Sequence, residues 1–338
     1  MAYSINLDEF SPALREFAAY KSSIQNCSQK TVSEYMTDLR TFFRYIIATR
    51  NNINLFSEDF LKIDLHSVDI QMLRGISTYE IYGFLNYAKE ERENNAPSRS
   101  RKLSAIKALY KYYVNKMHLF TENPTADIET PKKKKTLPKV LSLDESLMLL
   151  QAVKNDTMSA TVTRDYCIIT LFLNCGMRLS ELTGIKTTDI DKDLRSLRVT
   201  GKGNKERIIY LNGACRMALG DYLTIRNSNQ YADIKTNALF LSGRGRNDPL
   251  SVKTVQWMVK KYLDAAGLSN RGYSVHKLRH TAATLMYQSG NVDVRTLKDI
   301  LGHEQLNTTQ IYTHVSNQGM QDAIDNNPLA SIKAKKEV

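Results

Sequence analysis

The chain has 338 residues, 42% hydrophobic and 24% charged, and Lys plus Arg outnumber Asp plus Glu by 47 to 35, a net charge of +12. This mix excludes a wholly disordered chain, a collagen-like fibre and a small disulfide scaffold, and the length points to two domains. The positive excess points to a polyanionic partner, nucleic acid first and an anionic membrane second.

The excess divides as +2 over residues 1–126, +3 over 127–140 and +7 over 141–338, so no segment is a polycation. It reads as charge spread over a surface that grips a duplex from more than one side. No apolar run approaches the ~20 residues that span a bilayer; the longest, Tyr166 to Leu173, reads as a core helix. The start, Met1 to Asn6, lacks the charged and apolar regions of a signal peptide. Cys27, Cys167, Cys175 and Cys215 form no C-x-x-C pair and read as free thiols of a reducing cytoplasm.

In chain order, Leu7, Phe10, Leu14 and Phe17 form a loose apolar stripe. Val32, Tyr35, Met36, Leu39, Phe42, Phe43 and Ile46 form a stricter one at i, i+3, i+4, i+7 spacing. Ile81, Phe84, Leu85 and Ala88 make a third stripe, and Leu103, Ile106, Leu109, Tyr110, Tyr113 and Val114 a fourth. Four amphipathic helices predict a small bundle over 1–126, with an inserted loop or helix at 51–76. Asn123-Pro124 ends the pattern. The run Pro131 to Lys139 has two prolines and five lysines, and 127–140 reads as an extended basic linker.

The second domain, 141–338, opens on Ser142-Leu143-Asp144-Glu145, a capping-box pattern. A helix around Asp165–Cys175 stops at Gly176. Ser196–Thr200 and Arg207–Leu211 alternate as strands around Gly201 to Lys205, a β-hairpin. Beyond Ala238–Ser242 the pattern is helical to about residue 325. The fold class expected is mainly α: a helical front domain, then an α-rich domain with a small antiparallel sheet.

No Walker motif and no G-x-G-x-x-G after a strand occurs, so nothing signals a nucleotide cofactor. His276 and His280 are four apart and could share a helix face as metal ligands, but no glutamate or cysteine completes a set. His276 and Arg279 face the same way on a helix, a proton acceptor beside a phosphate fork, or two residues of an ordinary solvated face. Arg178 follows the helix-ending Gly176, with Glu181 one turn on to hold it.

Gly176-Met177-Arg178-Leu179-Ser180-Glu181-Leu182, Gly201 to Arg207, His276-Lys277-Leu278-Arg279-His280, Leu301-Gly302-His303 and Ile311-Tyr312-Thr313-His314 together resemble the tyrosine site-specific recombinases, nearest the bacterial Xer group. The resemblance runs over nearly the whole chain, five motifs in order. Cys175 stands where many relatives have threonine. The resemblance implies a SAM-like core-binding domain over 1–126 and a catalytic domain over 141–338. It also implies an exchange helix at about 317–330, which would dock into a neighbouring protomer.

It further implies that Tyr312 is the nucleophile on a DNA phosphodiester. Arg178 and Arg279 would bind the non-bridging oxygens, Lys202 would protonate the leaving 5′-oxygen and His276 would be the general base. His303 would donate to the phosphate and Glu181 would orient the site. No cofactor, metal or ATP is needed, because the phosphotyrosine conserves the bond energy. The implied partners are a duplex DNA recombination site, a homo-tetramer or a hetero-tetramer with a related recombinase, and an accessory or translocase protein. The implied location is the cytoplasmic nucleoid. Arg99, Arg101, Lys102 and Lys107 of the front domain, and Lys253 and Gln256 of a helix beginning near Ser251, are candidate DNA contacts. Dimer resolution, integration and inversion stay open. A type IB topoisomerase-like relaxation or a non-catalytic architectural role stand as alternatives.

Overall fold

The computed structural model describes residues 5–131, 139–228, 236–243, 248–289 and 292–302, apart from the Lys202 side chain. The chain divides into two compact units, residues 1–135 and 136–338.

The first unit is helical. Its helices are α1 (Pro12–Ala19), α2 (Gln29–Arg50), α3 (Glu58–Lys62), α4 (Ile70–Arg74), α5 (Thr78–Glu90) and α6 (Ala96–Asn115). Side-chain oxygens cap their starts: Ser28 accepts from the Thr31 backbone N–H, and Ser77 with Glu80 forms a capping box on α5. The predicted stripes are the core faces, with Met36, Leu39, Phe42, Phe43, Ile46, Phe84, Ile106 and Leu109 all fully buried. The first stripe is shorter than its spacing suggested. Leu7 is exposed, Phe10 forms a β-bridge with Leu65, and only Leu14 and Phe17 lie on α1. The long stretch at 51–76 holds the two short helices α3 and α4. They bring Phe60, Leu65, Val68 and Leu73 into the same core.

The second unit is built around α8 (Val162–Cys175), which packs against α7 (Leu143–Lys154), α10 (Gly213–Arg226) and α12 (Val275–Gln288). Helix α9 (Leu179–Gly184), strands β1 (Ser196–Thr200) and β2 (Glu206–Tyr210), α11 (Val252–Ala265) and α13 (Val294–Leu301) complete it. The Ser142 capping box forms: the Ser142 N–H donates to Glu145 at 2.8 Å, and the Glu145 N–H returns the bond to Ser142 Oγ at 3.1 Å. The apolar run 166–173 is the inner helix, with Ile168, Ile169, Leu171 and Phe172 fully buried. It stops at Gly176, whose φ of +58° is left-handed. A side chain there would be strained by the left-handed φ and would force Leu301 to shift, because a Cβ would meet its Cδ2 at 2.8 Å.

The two strands pair antiparallel, Ser196 opposite Tyr210 and Thr200 opposite Glu206. The second strand therefore begins one residue earlier than the alternation predicted. Inward residues Leu197, Val199 and Ile209 join the core, whereas Ile208 and Tyr210 face solvent. Cys175 and Cys215 are buried with Sγ atoms 3.7 Å apart, a thiol–thiol contact between free cysteines. Among the described residues no helix is long and apolar enough to cross a membrane.

Candidate active site: an arginine cluster on one buried carboxylate

Three segments bring the site together: the start of α9, strand β2 and helix α12. Gly176 turns the end of α8 so that Arg178 becomes the residue before α9, and Glu181 follows one turn later. The Arg178 N–H donates to Glu181 Oε2 at 2.7 Å, and its Nη1 donates to Oε1 at 2.7 Å. Strand β2 supplies Arg207, inward-facing like Ile209, which donates Nη1 to Glu181 Oε1 at 2.5 Å and Nη2 to Oε2 at 3.0 Å. Helix α12 supplies Arg279, whose Nη1 lies 4.0 Å from Glu181 Oε2.

Glu181 is fully buried, yet three guanidiniums face it. Burial pushes its carboxyl up, but the Arg207 and Arg178 hydrogen bonds outweigh burial and hold it below the usual carboxylate range. One carboxylate among three guanidiniums leaves the cluster with a charge of about +2, a ready anion site.

The end of α13 closes the cluster. Its terminal carbonyls have no partner within the helix, and the arginines take them. Arg279 Nη2 donates to Leu301 O at 2.7 Å, and Arg178 Nη2 to Gly302 O at 2.7 Å. Arg279 Nη1 also donates to Gly176 O at 2.6 Å. Gly302, at φ +63°, lets the chain turn there. The arginines differ in reach: side-chain exposure is 35% for Arg178, 15% for Arg207 and 4% for Arg279. Arg178 is the one presented to solvent.

His276 stands at the start of α12, exposed, with its ring 4.5 Å from that of His280 in an edge-on arrangement. Desolvation, then the charges of Arg279, Lys277 and Arg178, lower its pKa. Desolvation, then His276, Lys277 and Arg279, push His280 down to about 4. Both imidazoles are therefore neutral at neutral pH, and His276 is a competent proton acceptor. The first residue of the hairpin turn, Gly201, lies against the cluster: a Cβ there would sit 3.3 Å from Glu181 Oε1 and 3.9 Å from Arg178 Nη1. Lys202 is the next residue. Its side chain, together with His303, Tyr312, His314 and the 317–330 helix, lies outside the described residues. Among the described residues, no group of three or more His, Cys, Asp or Glu could hold a metal ion.

Arg178, Glu181, His276 and Arg279 are thus brought to one place, and Arg207 joins them although its sequence context marked it only as part of the hairpin motif. Its signal was the strand alternation, which puts it on the same face as Ile209.

The candidate DNA contacts fare differently from one another. In the first unit, Arg101 Nη1 donates to the buried Asp38 carboxylate at 2.6 Å, and Lys102 Nζ donates to it at 3.1 Å. Arg101 remains half exposed, whereas Lys102 is largely covered. Lys107 is engaged inside its unit, its ammonium donating to Ile128 O at 2.6 Å. Arg99 is half-buried, with no hydrogen-bond partner for its buried Nε. In the second unit Lys253 and Gln256 are exposed one turn apart on α11.

The fold and this site define a helical protein whose second unit gathers three guanidiniums around one buried carboxylate. The phage integrase family model matches residues 139–318. A protein of Caldanaerobacter subterraneus subsp. tengcongensis named "Tyrosine recombinase XerC" is 44% identical over 324 residues, covering 95% of this chain and 88% of the relative. A protein of the same name from Myxococcus xanthus is 33% identical, covering 94% of this chain and 98% of the relative. The chain belongs to the phage integrase family, the tyrosine recombinases. Solved structures share the fold. XerH recombinase bound to a palindromic difH substrate matches with a TM-score of 0.68 at 23% identity, covering 93% of this chain and 94% of that one. A lambda integrase tetramer bound to a Holliday junction matches with a TM-score of 0.63 at 21% identity, covering 92% and 78%.

Proposed function

We propose that the chain is an Xer-like site-specific recombinase that cuts and rejoins duplex DNA through a 3′-phosphotyrosine at Tyr312. The observation that carries this reading is the convergence of Arg178, Arg207 and Arg279 on the buried Glu181, a surplus of positive charge matched to a phosphoryl-transfer transition state.

In the proposed step the Tyr312 phenolic oxygen bonds to phosphorus as the bond to O5′ breaks. The phenol proton passes to His276, and the departing oxygen takes a proton from Lys202, leaving a 5′-hydroxyl. A phenol of pKa ~10 is a weak nucleophile at neutral pH and needs that base. Arg178 and Arg279 balance the charge that grows on the non-bridging oxygens, and His303 donates to the same phosphate. Glu181 aims the guanidiniums. The reverse step needs no new bond energy, so exchange of strands follows from the same groups.

The working assembly is a tetramer on two DNA sites, homomeric or shared with a related recombinase, with the 317–330 tail docking into a neighbour. An accessory or translocase protein would govern when it acts, on the chromosome in the cytoplasm. Domain roles follow the same reading: 1–126 binds DNA, 127–140 links, and 141–338 cuts.

The test is covalent capture. The preferred site is recovered by selecting bound duplexes from a random-sequence pool, then rebuilt with a nick that lets the cleaved end diffuse away. The expected result is a protein–DNA adduct stable in denaturant, with the DNA mapped to the peptide containing Tyr312. Absence of adduct from a selected, bound site would sink the reading. Relaxation of a supercoiled plasmid bearing two sites, without recombinant circles, would favour the topoisomerase-like alternative.

The exposed face of α11 gives a second expectation. Lys253→Ala weakens binding to all duplexes alike and lowers the slope of log affinity against log salt by about 1, as one phosphate contact does. Gln256→Ala relaxes discrimination at one base pair, at a cost of about 1–3 kcal/mol for the preferred base. Unchanged salt slope and unchanged selection would move the DNA face away from this helix.

A further inference from the structure

We propose that Arg207 is a positioning residue for phosphoryl transfer: it clamps Glu181 and packs against the Leu301–Gly302 turn. It thereby fixes Arg178 and Arg279. The inference rests on the recombinase reading above and adds a residue to its machinery.

The geometry is two-sided. On one side the Arg207 fork bonds both oxygens of Glu181, Nη1 to Oε1 at 2.5 Å and Nη2 to Oε2 at 3.0 Å. The paired bonds set the plane of the carboxylate. Glu181 Oε1 is the same oxygen that accepts from Arg178 Nη1, and Oε2 the one that takes the Arg178 N–H. Any rotation of the carboxylate therefore moves Arg178. On the other side, Arg207 lies on Gly302. A Cβ built there would stand 3.1 Å from Arg207 Cδ and Nη1 and 3.2 Å from Nε. The left-handed φ of Gly302 and the absence of its side chain are both used by this packing. Gly302 O in turn receives Arg178 Nη2, and Leu301 O receives Arg279 Nη2. One side chain from β2 thus touches the carboxylate that aims the guanidiniums and the turn whose carbonyls hold them.

Arg207 is itself mostly covered, so its part is to hold rather than to bind the phosphate. It lies on β2 just after the hairpin turn that carries Lys202, and Gly201, which opens that turn, rests on Glu181. A displaced hairpin would therefore disturb the acid and the cation cluster together. A lysine at this position could supply charge and one hydrogen bond, but not the paired fork.

The experiment compares wild type, Arg207→Ala and Arg207→Lys on the nicked selected duplex. It measures single-turnover cleavage at saturating DNA, duplex affinity by gel shift, melting temperature, and the cleavage rate from roughly pH 3.5 to 9. Arg207→Ala is expected to cleave about 100-fold more slowly, the penalty of a misplacement of about 1 Å, with affinity within about 3-fold of wild type. Arg207→Lys is expected to fall between the two.

The acid limb of the rate is the second readout. Glu181 faces Arg178 from α9, Arg207 from β2 and Arg279 from α12. Burial raises its carboxyl, and the Arg207 hydrogen bond is the largest influence lowering it. Without Arg207 the carboxyl protonates at higher pH, so loss of the Glu181 charge is added to protonation of the base His276, and the acid limb steepens and moves up in pH. Cleavage within about 3-fold of wild type overturns the proposal. So does a slowing that follows lost thermal stability with the acid limb unmoved in the folded variants, which would be a purely structural role. If Arg207→Ala does not fold, Arg207→Lys decides: a folded lysine variant with wild-type rate and acid limb overturns it. Wild-type protein that forms no adduct defeats the recombinase reading instead.

Discussion

Arg178→Ala is expected to slow covalent cleavage of the nicked site by about 10²–10³-fold, equivalent to roughly 3–4 kcal/mol of lost transition-state stabilisation. Duplex affinity should change little, because one phosphate contact among many is lost. Three features single Arg178 out. It is the most exposed guanidinium of the cluster, whereas Arg279 is almost wholly covered. Its orientation is doubly fixed, by Glu181 and by Gly302 O. Its remaining guanidinium N–H groups, which donate to none of the described residues, can meet an oxygen where negative charge grows. Arg178→Lys should recover little, since one ammonium cannot reach both anchors and the phosphate. Single-turnover rates at saturating DNA, set beside gel-shift affinities, check this. A rate within a few-fold of wild type would remove Arg178 from the phosphate.

The parts of this site that were legible in the sequence are those whose contacts are local. Arg178 with Glu181 is an i, i+3 pair beside a helix start, and the pair forms. The stop at Gly176, the Ser142–Glu145 box and the hairpin are also short-range signals, and each is found within a residue or two of its expected place. Contacts joining distant segments left no such trace. Arg178 meets Gly302 across 124 residues, and Arg279 meets Gly176 across 103. Nothing in the linear pattern distinguishes those carbonyls from any others. Arg207 illustrates an intermediate case: strand alternation turns it inward, but an inward arginine has a role only once the fold supplies Glu181. The basic side chains of α6 make the converse point. Arg101, Lys102 and Lys107 form one charged run in the sequence. In three dimensions Asp38, from a helix more than 60 residues earlier, takes the first two, and the Ile128 carbonyl takes the third.

Glu181→Ala should destabilise the second unit by about 3–5 kcal/mol, the usual cost of removing one partner from a buried ionic network. The reason is electrostatic. Three guanidiniums lose their common counter-ion, and Arg279 has almost no access to water that could replace it. Glu181→Gln should be nearly as damaging, because its amide would turn two N–H donors toward guanidiniums that also donate.

The pH dependence separates this from a simple loss of packing. The folded carboxyl lies below its ordinary range, so its contribution is fully present above the unfolded value of ~4.3. It is lost as pH falls through the folded value. The stability gap between wild type and Glu181→Gln should therefore be constant at neutral pH and narrow only in acid below ~4.3. Inorganic sulfate should stabilise the variants more than wild type, because an anion that enters the cluster replaces the missing charge and binding to the folded state adds stability by mass action. Urea unfolding followed by circular dichroism, with and without sulfate, measures both effects. A variant as stable as wild type, with no gap to close in acid or sulfate, would mean that the arginines do not depend on Glu181 and that another group neutralises them.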